Sequence, residues 1–197
     1  MSRSTRSLRA ESGGVAARAL ATIFAAAGLS AEAIANHLRV DAPPLPAAIA
    51  ALAPGIGPQG GGEMTFFGLS IYDGWYWSGA HAWTPNGIHA LDLHYHRSLD
   101  GASIADRSVA EIEGIGVGNA AQRQRWGEAM RRIFPNVRKG DRITGVNLPR
   151  GIARFYFNGQ PIGEIDDPEF TRAFFGIWLD PRTSHPAFRK QLLGAPE

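Results

Sequence analysis

The sequence predicts an α+β domain in which helices cover one face of an antiparallel sheet. Residues 88–97 alternate between apolar and polar side chains, which is typical of a half-buried strand. Asn158-Gly159 separates two runs rich in β-forming residues and predicts a hairpin with a type I′ turn. Phe170, Phe174 and Trp178 then recur at helical spacing. Strands, helices, more strands and a final helix, in that order, favour an α+β arrangement.

The first two thirds of the domain supply a strand region and two helices. Residues 64–77 are β-branched and aromatic in character, so we expect a strand there, with bends or bulges at Gly68 and Gly74. Apolar stripes at helical spacing predict helices over residues 103–115 and 120–134.

The last third of the chain carries the clearest secondary-structure signals. Strands are expected at residues 142–147, 151–157 and 161–165. Asp167 suits the N-cap of the next helix and Pro168 suits its first position, because the cap accepts from free N–H groups and proline has none to leave unpaired. A short helix over residues 187–193, stopped by Gly194, completes the domain.

Length, charge and composition limit the classes of protein to which this chain can belong. The chain has 197 residues, a formal net charge of +2 and 44% hydrophobic residues, which suits one domain with a substantial core. The near-neutral charge argues against nucleic acid as a partner, because phosphate binding needs a concentrated basic surface. The chain has no cysteine, so disulfides and thiolate chemistry are excluded.

The first residues resemble an export signal. Arginines precede the alanine-rich run 19–29, and Ala31 and Ala33 place small residues at the spacing that a signal peptidase needs. We therefore predict a signal peptide at residues 1–33, a Pro/Gly/Ala-rich linker at 34–59 with one helical turn, and a domain at 60–197. The mature protein would be periplasmic or secreted and without an integral membrane segment. The alternative is a surface amphipathic helix on a cytoplasmic protein.

Histidines and carboxylates give little sign of catalysis or metal binding. His94 and His96 lie on one face of a strand, a spacing that can bind a metal, but no pattern supplies a third ligand. We interpret that face as solvated and expect neither a metal nor another cofactor. Asp166, Asp167 and Glu169 are explained by the turn and the helix cap.

Tyr72 and its neighbours are the most informative polar group. The run Tyr72, Asp73, Trp75, Tyr76 and Trp77 places hydroxyls, a carboxylate and indole donors in a strand beneath the helices. One interpretation is a core whose polar atoms are satisfied. The other is a cleft with polar groups at its base, as small-molecule sites are commonly built.

Three stretches resemble the bacterial chalcone isomerase-like proteins, relatives of plant chalcone isomerases and fatty-acid-binding proteins. They are GLSIYDGWYW, KGDRITGVNLPRGIARFYFNG and GEIDDPEFTRAFFGIWLDPRTSHPAFRKQLLG. The resemblance covers residues 60–194. It implies an open-faced β-sandwich of chalcone-isomerase type, with an antiparallel sheet, a layer of helices and a ligand cleft between them.

The resemblance also indicates where a ligand would be held. In the plant enzymes an arginine on the first strand and a threonine on the next hold the substrate oxygens. In the fatty-acid-binding relatives a tyrosine replaces the threonine, and Tyr72 matches that position. The arginine position falls at Met64 or Thr65, so this chain lacks the cation there. A substitute would have to come from another strand, with Arg97 or Arg154 as candidates.

These observations define the candidate site and three hypotheses. The candidate ligand-binding residues are Tyr72, Tyr76, Met64, Thr65, Phe67 and Arg97, and Tyr72 is the candidate for catalysis. The leading hypothesis is an exported domain without chalcone isomerase activity that binds a small amphipathic or apolar molecule or serves as an interaction module. The alternatives are an intramolecular lyase or isomerase for a flavonoid-like phenolic, and fatty-acid binding with a substitute cation.

Overall fold

The computed structural model describes residues 42–80 and 82–194, which fall within one compact unit of the chain, Arg39–Glu197. The predicted signal peptide and the first part of the predicted linker lie outside the described residues. None of the helices in the described part is long and apolar enough to cross a lipid bilayer.

A six-stranded antiparallel sheet forms the centre of the domain, with its strands side by side in chain order. The strands are β1 (Gly57–Phe66), β2 (Leu69–Ser78), β3 (His89–Tyr95), β4 (Arg142–Leu148), β5 (Ile152–Phe157) and β6 (Gln160–Asp166). The helices are α1 (Ala47–Leu52), α2 (Gly101–Gly114), α3 (Ala120–Ile133), α4 (Pro168–Leu179) and α5 (Pro186–Leu192). The predicted α+β class and the sheet with its helical layer are confirmed.

The last third folds as its sequence indicates. Asn158 and Gly159 both have positive φ, 49° and 81°, as a type I′ turn requires. The Asp167 carboxylate caps α4 by accepting from the backbone N–H groups of Glu169 and Phe170 at 2.9 and 3.1 Å. Its second oxygen accepts from the indole of Trp126, so the cap also ties α4 to α3.

The first strand region differs from the prediction. The run 64–77 is not one strand, because Phe67 and Gly68 take positive φ and form a turn between β1 and β2. β1 itself begins at Gly57, inside the segment predicted to be a linker. Gly60 on this strand is required by packing rather than by flexibility, because a Cβ there would lie 2.1 Å from the carbonyl oxygen of Gln191.

The two faces of the sheet carry separate apolar clusters. The inner face packs against α2 to α5, with Phe155, Phe170 and Phe175 fully buried in the main core. On the outer face, Ile49 of α1 packs with Trp75 and other side chains of the sheet. The open face of the sandwich is therefore partly covered by residues 42–56.

This cover overturns the interpretation of the outer face of β3 as solvated. The alternation along β3 is as predicted, but Asp92 is completely buried. Its carboxylate accepts from Arg142 Nε at 2.7 Å and Thr144 Oγ1 at 2.8 Å, and it contacts His94 at 3.1 Å. Arg142 also donates to the carbonyl oxygen of Pro44, so this buried ion pair holds the covering segment to the sheet.

Candidate functional site

A cavity of about 270 Å³ lies between the inner face of the sheet and the helices. Its volume is close to the lower end of the range for small-ligand pockets, roughly 300–1,000 Å³. Most of its wall is apolar and comes from both layers, including Met64, Ile71, Leu93, Ile104, Phe134 and Ile177. Such a wall favours an apolar molecule or the apolar part of an amphipathic one.

Tyr72 is the central polar group of the cavity. Its hydroxyl accepts a hydrogen bond of 2.9 Å from the indole Nε1 of Trp178 on α4. Among the described residues no acceptor receives the hydroxyl proton, so Tyr72 is able to donate to a ligand oxygen. Burial raises the pKa of Tyr72, the bond from Trp178 lowers it, Glu111 raises it and Arg107 lowers it, with a net rise. Tyr72 is therefore protonated, a donor and not a base, at neutral pH.

A polar cluster from α2 lies on the helical wall. Arg107 and Glu111 are one helical turn apart and form an ion pair, and both line the cavity. Arg107 also lies over the ring of Phe66, with its guanidinium carbon 5.3 Å from the ring centroid. Because its charge is already paired with Glu111, the cavity presents a largely neutralised cation to a ligand.

Glu111 is held from several sides. Its second oxygen accepts from the hydroxyl of Ser184 at 2.6 Å, and His185 lies 3.9 Å from the first. The Glu111 side chain is only 11% exposed. A carboxylate so well bound is costly to displace, because its remaining partners keep it in place.

The structure places two of the six candidate residues on the cavity. Tyr72 and Met64 line it, and Met64 therefore fills a place near which the resemblance puts an arginine. Tyr76 is buried in the sheet's inner face away from the cavity wall. Thr65 is exposed, and Phe67 is 90% exposed at the turn, where its neighbour Phe66 reaches the cavity instead.

Neither of the two cations proposed from the sequence lines the cavity. Arg97 follows β3 and lies outside the wall, and Arg154 pairs with Glu164 across β5 and β6. The cation at the cavity is Arg107, which sequence reasoning missed because it was sought on the strands. A signal for it existed: Ile104, Arg107 and Glu111 share one face of α2 at spacings of three and four, so the apolar stripe carries a charged pair.

The six-stranded sheet, its helical layer and the cavity between them define an open-faced β-sandwich. The chain belongs to the chalcone isomerase-like family, which matches residues 80–194, more than half of its length. This match runs from β3 to α5 and does not include β1 and β2, which carry Met64 and Tyr72.

Two further comparisons, one with a solved structure and one with a protein sequence, show what the chain is similar to. The crystal structure of a fatty-acid binding protein from Arabidopsis thaliana superposes with a TM-score of 0.54 at 12% identity, covering 72% of this chain and 88% of that one. An uncharacterized protein of Haemophilus influenzae is 31% identical over 105 residues, or 53% of this chain and 50% of that relative. The aligned region thus spans about half the length of this relative.

Proposed function

We propose that this protein binds, without chemically changing it, a small amphipathic molecule whose polar end is uncharged. The observation that carries the proposal is a mostly apolar cavity lined by the Tyr72 hydroxyl, which accepts a hydrogen bond from Trp178 and retains a proton to donate. A ligand hydroxyl or carbonyl oxygen would accept from Tyr72, while the apolar body would lie against both layers of the sandwich.

The preference for an uncharged end follows from the pairing of Arg107. A ligand carboxylate would have to compete with Glu111 for the guanidinium or lie close to the Glu111 charge. Like charges at short range in a partly buried site cost free energy. Fatty-acid binding remains the second candidate, since Arg107 is a cation at the cavity and the Arabidopsis structure is that of a fatty-acid binding protein.

Absence of chalcone isomerisation is also part of the proposal. The resemblance puts an arginine near the place that Met64 fills, and a thioether cannot polarise a substrate oxygen as a cation would. Purified protein is expected to leave the cyclisation of a chalcone at its spontaneous rate. An acceleration that disappears in Tyr72→Phe would overturn this part of the proposal and favour the lyase or isomerase hypothesis.

Two probes of the same chain length, 1-decanol and decanoate, test the choice of polar end. In calorimetric titrations the wild type should bind decanol more tightly than decanoate. Glu111→Gln releases Arg107, so it should raise the affinity for decanoate by about tenfold, the value of one charge-assisted contact, and leave that for decanol unchanged.

The matched control is Glu113→Gln, which removes a carboxylate from the same helix outside the cavity wall. It should change neither affinity. Tighter binding of decanoate than decanol by the wild type would favour the fatty-acid hypothesis. Failure to bind either probe would contradict the ligand-binding proposal and favour an interaction module.

Export of the protein is proposed on the sequence of residues 1–33 alone. The test is fractionation of cells that express the full chain, with mass measurement of the mature N-terminus. Cleavage after Ala33 and recovery in the periplasm or medium is the expected result. An intact N-terminus in the cytoplasm would contradict it.

A further inference from the structure

Three side chains able to bind a metal meet on the outer face of the sheet, directly behind the cavity. They are Glu63 on β1, Asp73 on β2 and His96, which follows β3. One ligand atom from each lies within 4.8 Å of the others. The sequence alone did not bring them together, because each belongs to a different strand region.

The two carboxylates lie directly opposite each other on neighbouring strands, and the single imidazole of the trio can neutralise only one of them. Glu63 and Asp73 are direct partners in the antiparallel register of β1 and β2, and like charges in that position destabilise a strand pair. His96 is in contact with Asp73, with Nε2 3.0 Å from the carboxylate oxygen. An imidazole carries at most one positive charge, so two ionised carboxylates leave the trio negative.

The ring nitrogen of His96 gives a second indication. The His96 side chain is 34% exposed, but its Nε2 atom itself is shielded from solvent and makes no hydrogen bond among the described residues, although it lies within ion-pair distance of Asp73. Its neighbour His94 differs, since its Nε2 bonds to Asp92. A shielded polar atom without a hydrogen bond is destabilising, and coordination of a cation would remove that cost.

We propose that Glu63, Asp73 and His96 bind a divalent first-row transition metal, with Zn²⁺ as the representative ion. One imidazole nitrogen and two carboxylate oxygens form a donor set that suits such ions. Zinc–ligand bonds of about 2.0–2.2 Å bring the donors roughly 3–4 Å apart, so the present spacing closes with small side-chain rotations. Water would complete the coordination.

The position of the trio suggests what the ion would do. Each ligand is the chain neighbour of a residue that lines the cavity: Met64 beside Glu63, Tyr72 beside Asp73 and Tyr95 beside His96. Because side chains alternate along a strand, the ion and the ligand cavity lie on opposite faces of the same strands. A bound ion would fix β1, β2 and the end of β3 against one another behind the cavity floor.

The test is calorimetric titration of ZnCl₂ into the full chain, without a histidine tag and after removal of metals. We expect one ion per chain, and a loss of affinity of at least about tenfold in each of Glu63→Gln, Asp73→Asn and His96→Gln, since even outer-shell changes cost that much. His185→Gln and Glu164→Gln, which alter an imidazole and a carboxylate elsewhere, should bind zinc as the wild type does.

The unfolding temperature of Glu63→Gln, compared with that of the wild type, should depend on whether zinc is present. In EDTA this variant should unfold at the same temperature as the wild type or higher, because a like-charge pair is removed; with zinc it should unfold lower. Retention of zinc affinity in the three variants, equal losses in the two controls, or equal stabilisation of the wild type by Ca²⁺ would overturn the proposal.

Discussion

The indole Nε1 of Trp178 donates a 2.9 Å hydrogen bond to the hydroxyl of Tyr72, linking helix α4 to strand β2 at the cavity. The bond has two consequences. It satisfies a donor on a side chain that is only 7% exposed, and it leaves the Tyr72 hydroxyl proton available for donation. One contact therefore contributes both to packing and to the polarity of the cavity.

Tyr72→Phe removes the hydroxyl and therefore tests its contributions to stability and to ligand binding. Loss of the hydroxyl leaves the Trp178 indole unpaired, so the free energy of unfolding in urea should fall by about 1–3 kcal/mol. Affinity for 1-decanol should fall by about fivefold, the value of one neutral hydrogen bond. Tyr76→Phe, the same change outside the cavity, should leave decanol affinity unchanged, and a similar loss there would contradict the role given to Tyr72.

Gly60→Ala should be strongly destabilising although glycine is a poor strand former. A Cβ there would collide with backbone atoms around the end of α5, at 2.1 Å from Gln191 O, 2.7 Å from Gly194 N and 2.9 Å from Leu192 O. Backbone cannot rotate out of the way, so α5 would have to move off β1 at a cost of at least about 2 kcal/mol.

Gly57→Ala is the matched control for that change. Gly57 lies on the same strand, and a Cβ there meets nothing within 4 Å. Equal urea midpoints for Gly57→Ala and the wild type, with a lower midpoint for Gly60→Ala, are expected. Equal midpoints for all three would show that α5 does not need the bare backbone of β1.

Gly60 is an example of a structural requirement that the sequence alone could not predict. The Asn158-Gly159 turn and the Asp167 cap are local, so the residues that specify them are adjacent in the chain. Gly60 lies in a glycine-rich run whose composition is typical of a linker, and its role depends on α5, more than one hundred residues away. Strand propensity describes a local preference of the chain, so it cannot reveal a requirement for glycine that arises only from a tertiary contact.

The candidate site was likewise predicted from the sequence only in part. Tyr72 was singled out by the family resemblance and by the polar groups of its segment, not by a strand pattern, and it lies on the cavity wall. Arg107 was missed because an arginine four residues before a glutamate on a helix is typical of a solvent-exposed pair. Burial of Asp92 was missed for a related reason: the cover comes from residues 42–56, a segment whose prolines indicate a linker rather than a packed layer.

His89 should make stability depend on pH. Its imidazole is buried between Tyr76 and Phe175, and burial lowers its pKa from 6.5 to about 4. A lowered histidine pKa means that the unfolded chain binds the proton more readily. The free energy of unfolding should therefore be constant above pH 6.5 and fall by roughly 2–4 kcal/mol as the pH drops towards 4.

Urea denaturation of the wild type and His89→Leu at several pH values measures this contribution. The variant lacks the titrating group, so its stability should fall less between pH 6.5 and 4. The buried carboxylate of Asp92 does not confuse the comparison. Although burial raises its pKa, bonds from His94 and Arg142 lower it further, below 3.8, so its stabilisation is lost at more acidic pH. Parallel curves for both proteins would rule out His89 as the source.

Phe66→Ala should weaken ligand binding, because Phe66, the last residue of β1, lines the cavity. Its ring lies under the Arg107 guanidinium and in edge contact with Phe67, at 4.5 Å between ring centroids. Truncation removes apolar wall and a support of Arg107, so affinity for 1-decanol should fall by about fivefold.

Phe67→Asn separates the cavity from the exposed turn. Phe67 has a φ of 48° and points into solvent, and asparagine adopts that left-handed conformation more readily than phenylalanine does. The variant should therefore keep its decanol affinity and unfold at an equal or higher urea concentration. Were Phe67→Asn to lose as much affinity as Phe66→Ala, the ligand would have to contact the turn from outside, and the cavity between sheet and helices could not be its whole binding site.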